Sequence, residues 1–144
     1  MSAEENKALV RRIYGAWSKP SNATRIEELY AADYVFHGTG VFPDMDRAGL
    51  KELATTAATA FPDLHYTVED LIAEGDKVVW RPTLRGTHQG DFMGIPPTGK
   101  QVSFTGIEID RIEDDRFVEA WFNEDHLGLM QQLGVIPQMA QAGA

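Results

Sequence analysis

The N-terminal part of the chain repeats apolar positions with the period of an α-helix. Leu9, Ile13 and Trp17 recur four residues apart, and the two arginines between them face the other way, so this segment has one apolar and one charged face. Ser2 stands at the position of a helix N-cap, ahead of two glutamates that favour a first turn. The pattern predicts a first helix that ends at the loop 18–22.

Two further helices and one short strand are expected before residue 65. Thr24-Arg-Ile-Glu27 matches a capping box and predicts a short second helix. Segment 33–37 predicts a brief strand, and segment 47–61 predicts a third helix that Pro62 ends. The many alanines on the apolar side of this third helix favour close packing against a sheet.

From residue 65 onwards the pattern changes to that of β-strands. Two tight turns, Glu74-Gly-Asp-Lys77 and Glu113-Asp-Asp-Arg116, each predict a hairpin. Pro82 indicates an edge position or a bulge within its strand. The segment between the hairpins is rich in glycine and proline and is long enough for a lid or a binding loop. The strands expected are 65–73, 78–86, 101–112 and 117–123, followed by a closing helix over 127–133.

This order of elements predicts an α+β fold. We expect a cone-shaped, curved antiparallel sheet that wraps around the N-terminal helices and encloses a pocket. The length favours one domain, which we assign to residues 1–136, with a flexible tail over 137–144.

The last hairpin is the expected place of the functional site. With the two aspartates of its turn as central residues, Glu108 would face Trp121 and Phe104 would face Asp125. One face would then mix aromatic, carboxylate and amide groups around a glycine that leaves room for a ligand: Phe104, Gly106, Glu108, Trp121, Asn123 and Asp125. The other face is aliphatic and suits a core or a subunit interface. A one-residue bulge would exchange the two faces.

Three side chains are candidates for acid/base chemistry, each with a structural alternative. Asp125 is either an acid/base group, its pKa raised by aromatic walls, or the N-cap of the closing helix. Glu108 is either a pocket acid or the partner of an arginine such as Arg81. His37 either points into the cavity or is a hydrogen-bonded histidine of the core or rim. His126 is expected on the surface, and for His88 a loop-stabilising role is the alternative to substrate binding.

Composition and charge exclude several classes of function. A net charge of −9 argues against nucleic acid as a partner, and the sequence contains no apolar run that could span a bilayer. Cysteine is absent, and the four histidines lack metal-binding spacing, so we expect no metal site and no disulfide. The N-terminus lacks the features of a signal peptide, which favours the cytoplasm.

Several stretches resemble the SnoaL-like polyketide cyclase (ester cyclase) family, which belongs to the nuclear-transport-factor-2-like superfamily of cone-shaped α+β barrels. They cover nearly the whole chain, and the most specific is the first one in this list: Arg85-Gly-Thr-His-Gln-Gly-Asp-Phe-Met-Gly-Ile-Pro-Pro-Thr-Gly99, Phe104-Thr-Gly-Ile, Gly128-Leu-Met-Gln-Gln-Leu-Gly134, and segments 6–14, 32–37, 60–64 and 68–78. The resemblance implies a cofactor-free intramolecular aldol closure of a polyketide, with Asp125 at the position of the acid/base aspartate. Glu108 departs from the histidine or neutral donor expected there, because a second carboxylate repels an enolate unless it is protonated.

Three functions therefore remain open. The first is a cyclase or related carbon-acid enzyme without a cofactor, the second a hydrolase or dehydratase in which Asp125 and Glu108 activate water, and the third a non-catalytic protein that binds a small molecule. A homodimer through the sheet is expected in each case. The expected catalytic residues are Asp125, His37 and Glu108, and the expected substrate-binding residues are Tyr14, Trp17, Phe61, His88, Phe92, Phe104, Trp121 and Asn123.

Overall fold

The computed structural model describes residues 2–14, 22–39 and 41–137. Within these ranges the helices and strands follow one another in this order: α1 (Ala3–Tyr14), α2 (Asn22–Leu29), β1 (Tyr30–His37), α3 (Arg47–Ala60), β2 (His65–Glu74), β3 (Lys77–Thr87), β4 (Gln101–Glu113), β5 (Arg116–Glu124) and α4 (His126–Gln132). No helix in the described ranges has both the length and the apolar character needed to cross a membrane. The predicted α+β class is confirmed.

The strands form a single curved sheet that does not close on itself, in the order β1-β5-β4-β3-β2. The pairs from β5 to β2 are antiparallel, as predicted, whereas β1 runs parallel to β5. Pro82 lies in β3, inside the sheet, and the register of β2 shifts between Val68, which faces Pro82, and Asp70, which faces Arg81. The proline is therefore accommodated by a bulge in its neighbour and not by an edge position.

Local capping explains where the helices begin. The backbone N–H of Glu5 donates to Ser2 Oγ at 3.1 Å, which is the predicted start of α1. Asp46 caps α3 by accepting a hydrogen bond from the backbone N–H of Gly49 at 2.9 Å. The second helix begins at Asn22, so Thr24 lies inside it and the capping box predicted there is wrong.

The buried apolar residues form two clusters on the inner face of the sheet. One cluster joins α1, α2 and β1 to Trp80 of β3 and Phe117 of β5. The other surrounds Phe61, at the end of α3, and includes buried residues of β3, β4 and α4. Phe42 and Tyr66 pack against both clusters, and the space between the clusters is the cavity described next.

Candidate functional site

An aromatic cavity of about 60 Å³ lies between the inner face of the sheet and the helices. Most of its wall is apolar, but three ionisable groups of the last two strands and α4 reach it: Glu108, Glu124 and His126. The remaining lining residues are Tyr30, Tyr34, Phe36, Phe42, Leu53, Ala57, Phe61, Leu64, Tyr66, Trp80, Leu84, Phe92, Phe104 and Phe122. An apolar pocket with a few convergent polar groups has the usual composition of a small-molecule site.

Glu124 and His126 form a hydrogen-bonded pair at one side of this cavity. Glu124 ends β5 and His126 begins α4, and His126 Nε2 lies 2.7 Å from Glu124 Oε2. Both side chains are largely buried, with exposed fractions of 12% for His126 and 13% for Glu124. Phe42 meets the His126 ring edge-on, with ring centroids 5.0 Å apart. The imidazole is therefore oriented by a carboxylate and covered by an aromatic side chain, which is a common arrangement for a proton acceptor.

Glu108 faces the same cavity from β4 in a different environment. Its Oε2 accepts a hydrogen bond from the indole Nε1–H of Trp80 at 2.8 Å, and within the described residues it has no ion pair with a basic side chain. Burial raises the pKa of Glu108 well above its usual value, and the nearby Asp110 carboxyl and the charge of Glu124 raise it further. The apolar site therefore favours the protonated form of Glu108, a carboxylic acid that can donate a hydrogen bond.

Two of the three tyrosines that line the cavity, Tyr34 and Tyr66, have strongly raised pKa values. Burial is the main cause that raises the pKa of Tyr66 well above its usual value, and the charges of Glu124 and Glu108 add to it. Burial likewise raises the pKa of Tyr34, which also experiences Glu108 and Asp110. Both phenols therefore stay protonated and offer further hydrogen-bond donors to a bound oxygen.

The register predicted for the last hairpin is wrong by one residue. The turn forms as predicted, with Asp114 and Asp115 at positive φ and Glu113 facing Arg116. The register then shifts, because Ile112 faces Phe117 whereas Arg111 faces Glu119, which leaves Val118 without an opposite residue. This bulge exchanges the two faces of β5 beyond that point.

The exchange moves most of the predicted site residues on β5 to the outer face. Trp121 faces Ile109 on the outer side of the sheet, and Glu108 faces Phe122 instead. Asn123 is exposed, and it lies with Trp121 in a shallow outer depression. Gly106 does face inwards, but Phe122 fills the space beside it, since a Cβ at Gly106 would lie 2.6 Å from Phe122 Cε1.

Asp125 does not share the cavity with Glu108, contrary to the predicted register. It is exposed, it borders the outer depression, and its Oδ1 accepts a hydrogen bond from the backbone N–H of Gly128 at 2.9 Å. The side chain is thus the N-cap of α4, which is the structural alternative expected for this residue.

His37 also lies on the outer side of the sheet. Its Nε2 is 2.5 Å from Glu119 Oε2, and its ring stacks on Trp121 with centroids 5.1 Å apart. The His37 and Arg111 hydrogen bonds lower the pKa of Glu119. The expectation that His37 points into the cavity is wrong, because Phe36, the preceding residue of β1, takes the inward position.

The other predicted binding residues divide into three groups. Phe61, Phe92 and Phe104 line the cavity as predicted. Tyr14 packs against the ring of Trp80, with centroids 6.0 Å apart, but does not line the cavity. Trp17 lies outside the described residues.

His88 is fully buried but stabilises a loop instead of lining the cavity. Its Nδ1 accepts a hydrogen bond from the backbone N–H of Thr98 at 3.2 Å, and its backbone bonds Lys100 and Gly99. Its ring lies 5.5 Å from that of Phe61, centroid to centroid. The segment after β3 is therefore closed on itself and packed against the end of α3.

Sequence reasoning missed Glu124 and His126 as a pair. His126 was expected on the surface, but the bulge at Val118 turns Glu124 inwards and α4 starts with the imidazole beside it. The available signal was the spacing of a carboxylate and a histidine two residues apart at a strand–helix junction. Among the described residues no group of three or more His, Cys, Asp or Glu side chains is arranged to hold a metal ion.

Comparisons with solved structures agree with this fold. A search of the curated proteins finds no match. Among solved structures, AclR of Streptomyces galilaeus, described as a proposed hydroxylase, is 33% identical with a TM-score of 0.86, over 98% of this chain and 88% of AclR. IdmH of Streptomyces antibioticus, a proposed polyketide cyclase, is 33% identical with a TM-score of 0.77, over 90% of this chain and 99% of IdmH. TsrD of Streptomyces laurentii is 29% identical with a TM-score of 0.82, over 94% and 99% of the two chains.

The family comparison covers most of the sequence. The model of the SnoaL-like polyketide cyclases matches residues 8–133, which includes every strand and all of α2, α3 and α4. The structural neighbours share the same cone of helices and curved sheet. The chain belongs to the SnoaL-like polyketide cyclase family.

Proposed function

We propose that the protein is an acid/base enzyme that closes a ring in a small, apolar, polyketide-like substrate by an intramolecular aldol reaction without a cofactor. Membership of the cyclase family and the similarity to IdmH, a proposed polyketide cyclase, support this class of reaction. The observation that carries the proposal is that one apolar cavity holds two glutamates in opposite environments. Glu124 is paired with His126, whereas Glu108 has no basic partner among the described residues and has a raised pKa, which favours its protonated form.

The two environments correspond to the two roles that an aldol closure needs. The Glu124–His126 pair removes a proton from the carbon next to a substrate carbonyl. As that carbonyl oxygen gains negative charge, the protonated Glu108 donates a hydrogen bond to it and stabilises the enolate. The enolate carbon then forms a bond to a second carbonyl carbon of the same molecule. The resulting alkoxide takes the proton back from the pair, so that no atom or electron is gained or lost overall.

Protonation of Glu108 removes the electrostatic objection to a second carboxylate in the site. An ionised Glu108 would repel the enolate, but burial and the neighbouring Asp110 keep Glu108 neutral. The hydroxyl groups of Tyr34 and Tyr66 provide further donors beside it. In this proposal Asp125 supports catalysis indirectly, because capping α4 fixes the position of His126 in the first turn of that helix.

The cavity is small for a polycyclic substrate. Its volume of about 60 Å³ is well below the roughly 300–1,000 Å³ of typical ligand pockets. Binding therefore requires side chains at its edge to move, and Phe42 is suited to do so since it is only partly buried and lies in the segment between β1 and α3, outside regular structure.

The test is to follow deuterium exchange at carbon in heavy water, by nuclear magnetic resonance, for apolar ketones whose own exchange is slow. We expect the protein to accelerate exchange and Glu124→Gln to abolish the acceleration. The matched control is Glu28→Gln, at an exposed position of α2, which should leave the acceleration intact. Incorporation of oxygen from labelled water into an acid or alcohol product would instead indicate a hydrolase, and loss of water from the substrate would indicate a dehydratase. Thermal stabilisation by the ketones without exchange would indicate a protein that only binds. Either result would overturn the proposal.

We also propose a homodimer through the outer face of the sheet. Four apolar residues on neighbouring strands lie in one cross-strand row on this face: Ile72, Val79, Ile109 and Trp121. Ile72 has an exposed fraction of 61%, and Ile107, two residues before Ile109 on β4, has an exposed fraction of 51%. An apolar sheet face of this kind suits a second copy of the same surface related by a two-fold axis.

A further inference from the structure

β4 carries two buried carboxyl groups on its inner face, Glu108 and Asp110, with exposed fractions of 8% and 2%. One donor serves both of them. The indole Nε1 of Trp80 lies 2.8 Å from Glu108 Oε2 and 2.8 Å from Asp110 Oδ2. The two carboxyls also lie within hydrogen-bonding reach of each other. Glu108 lines the cavity but Asp110 does not, so the catalytic roles proposed above leave Asp110 unused.

Within the described residues, the titratable groups that act on this pair are phenols and carboxyls. The titratable side chains that face it are Tyr34 from β1, Tyr66 from β2 and Glu124 from β5, and Tyr14 from α1 contacts the ring of Trp80. In the part of the chain that the structure describes, neither Glu108 nor Asp110 makes a salt bridge. Two ionised carboxylates within hydrogen-bonding reach of each other, in a buried site and with one shared N–H donor, would repel each other strongly. At least one of them must therefore hold a proton.

We propose that Glu108 and Asp110 form a proton-sharing pair, in which Asp110 is a positioning residue that determines whether the Glu108 proton points into the cavity or towards Asp110. This inference rests on the proposed function for its catalytic meaning, but the pair itself exists without substrate. When Asp110 is protonated it does not compete for the Glu108 proton, and Glu108 is free to donate to a substrate oxygen. When Asp110 ionises, its carboxylate accepts a hydrogen bond from the protonated Glu108 and turns that O–H away from the cavity.

The pH at which this change occurs follows from the two environments. Burial raises the pKa of Asp110 from 3.8 to about 7, against the opposing effects of its hydrogen bonds to Glu108 and Trp80. The contact between the two carboxyls raises the pKa of Glu108 and lowers that of Asp110, so Asp110 is the member of the pair that loses its proton first. The donor strength of Glu108 should therefore fall as the pH rises through about 7.

The first experiment titrates the protein without substrate. Infrared difference spectra below and above the pH of the Asp110 transition should show the C=O band of a protonated carboxylic acid decreasing, together with a change in the fluorescence of Trp80. Asp110→Asn should remove both changes, whereas Asp33→Asn, at an exposed position of β1, should leave both in place. The hydrogen bond from the Trp80 N–H stabilises the ionised form of Asp110 and lowers its pKa. Trp80→Phe removes this bond and should therefore move the infrared midpoint to higher pH.

The second experiment separates positioning from a merely structural role. In the ketone exchange assay, the wild-type rate should contain a decrease with a midpoint near pH 7, and Asp110→Asn should remain active without that step. A structural role would instead lower stability and leave the pH profile unchanged.

The inference is overturned if the infrared and fluorescence transitions persist in Asp110→Asn, or if no protonated carboxyl is lost near pH 7 in the wild type. If no ketone exchanges, the proposed function fails, and the substrate-free titration still decides the inference. If Asp110→Asn does not fold, the wild-type infrared titration and its shift in Trp80→Phe decide it.

Discussion

The imidazole of His126 and the carboxylate of Glu124 lie 2.7 Å apart, Nε2 to Oε2, across the junction of β5 and α4. The two residues belong to different elements, so their relative position depends on where the strand ends and the helix begins. Asp125, between them, holds that junction through its hydrogen bond to Gly128. The proposed base is thus assembled from three consecutive residues, of which the outer two face the cavity and the middle one caps the helix.

Replacing His126 should remove the imidazole that Glu124 orients as a proton acceptor. In His126→Gln we expect the rate of ketone exchange to fall by roughly 10²–10⁴-fold, the usual contribution of general acid–base catalysis. The assay is the heavy-water exchange described above, at a pH where the wild type is fully active. His65→Gln, at an exposed position of β2, should keep the wild-type rate. An active His126→Gln would assign the base to Glu124 alone or to another residue.

Replacing Asp125 should affect stability more than chemistry. Asp125→Ala should lower the free energy of unfolding by about 1 kcal/mol through loss of the N-cap, and Asp46→Ala, which removes the matching cap of α3, should cost a similar amount. Urea unfolding followed by circular dichroism measures both. Asp125→Ser keeps a capping oxygen and should retain both stability and exchange activity. A folded but inactive Asp125→Ser would instead favour the catalytic role that the sequence suggested.

Phe42 should control access to the cavity. Phe42→Ala removes the ring that covers His126 and opens the space between the two core clusters, so an apolar fluorescent dye should bind more tightly than to the wild type. Phe42→Leu, which keeps most of the volume, should bind the dye nearly as the wild type does. Dye titrations followed by fluorescence measure this, and equal affinities for all three proteins would contradict a gating role.

The buried Asp110 should make stability depend on pH in an unusual direction. Its pKa is raised on folding, so between 3.8 and about 7 the folded state binds a proton that the unfolded state has lost. The free energy of unfolding should therefore fall as the pH rises through this window. Asp110→Asn should remove this part of the pH dependence, which chemical denaturation at several pH values can measure. A wild-type minus Asp110→Asn difference that is constant with pH would refute the shift.

The outer face of the sheet should carry the dimer contact. The wild type should sediment as a dimer in analytical ultracentrifugation, and Ile107→Lys should sediment as a monomer with unchanged circular dichroism. Val135→Lys, at another exposed apolar position, should remain dimeric. A monomeric wild type at micromolar concentration would refute the dimer.

Most of the architecture could be predicted from the sequence, because it depends on local signals. The capping of α1 by Ser2 and the turn at Asp114–Asp115 are examples in which a few neighbouring residues determine the backbone. The inward alternation of β4, with Phe104, Gly106 and Glu108 buried and Thr105 and Ile107 exposed, was also anticipated. These features require no information from distant parts of the chain.

The composition of the site could not be predicted to the same degree, because it depends on one unpaired residue. Both faces of β5 contain apolar side chains, so hydrophobic alternation does not determine which face packs inwards. The bulge at Val118 decides it, and it turns Glu124 inwards and Asn123 outwards. The pKa of Glu108 likewise depends on Trp80 and Asp110, a contact that requires the register of β3 against β4.

Val118 gives this fold a simple way to change its chemistry. A strand has two faces, and pairing one residue regularly or leaving it in a bulge exchanges the faces of all later residues while the hydrogen-bonded ladder stays in place. A homologous chain of the same length that paired the residue at position 118 regularly would present the position of Asp125 to its interior and that of Glu124 to its exterior. A change in where the strand bulges can thus transfer the acid/base role from one carboxylate to its neighbour, so an aligned aspartate is no guarantee of a shared reaction.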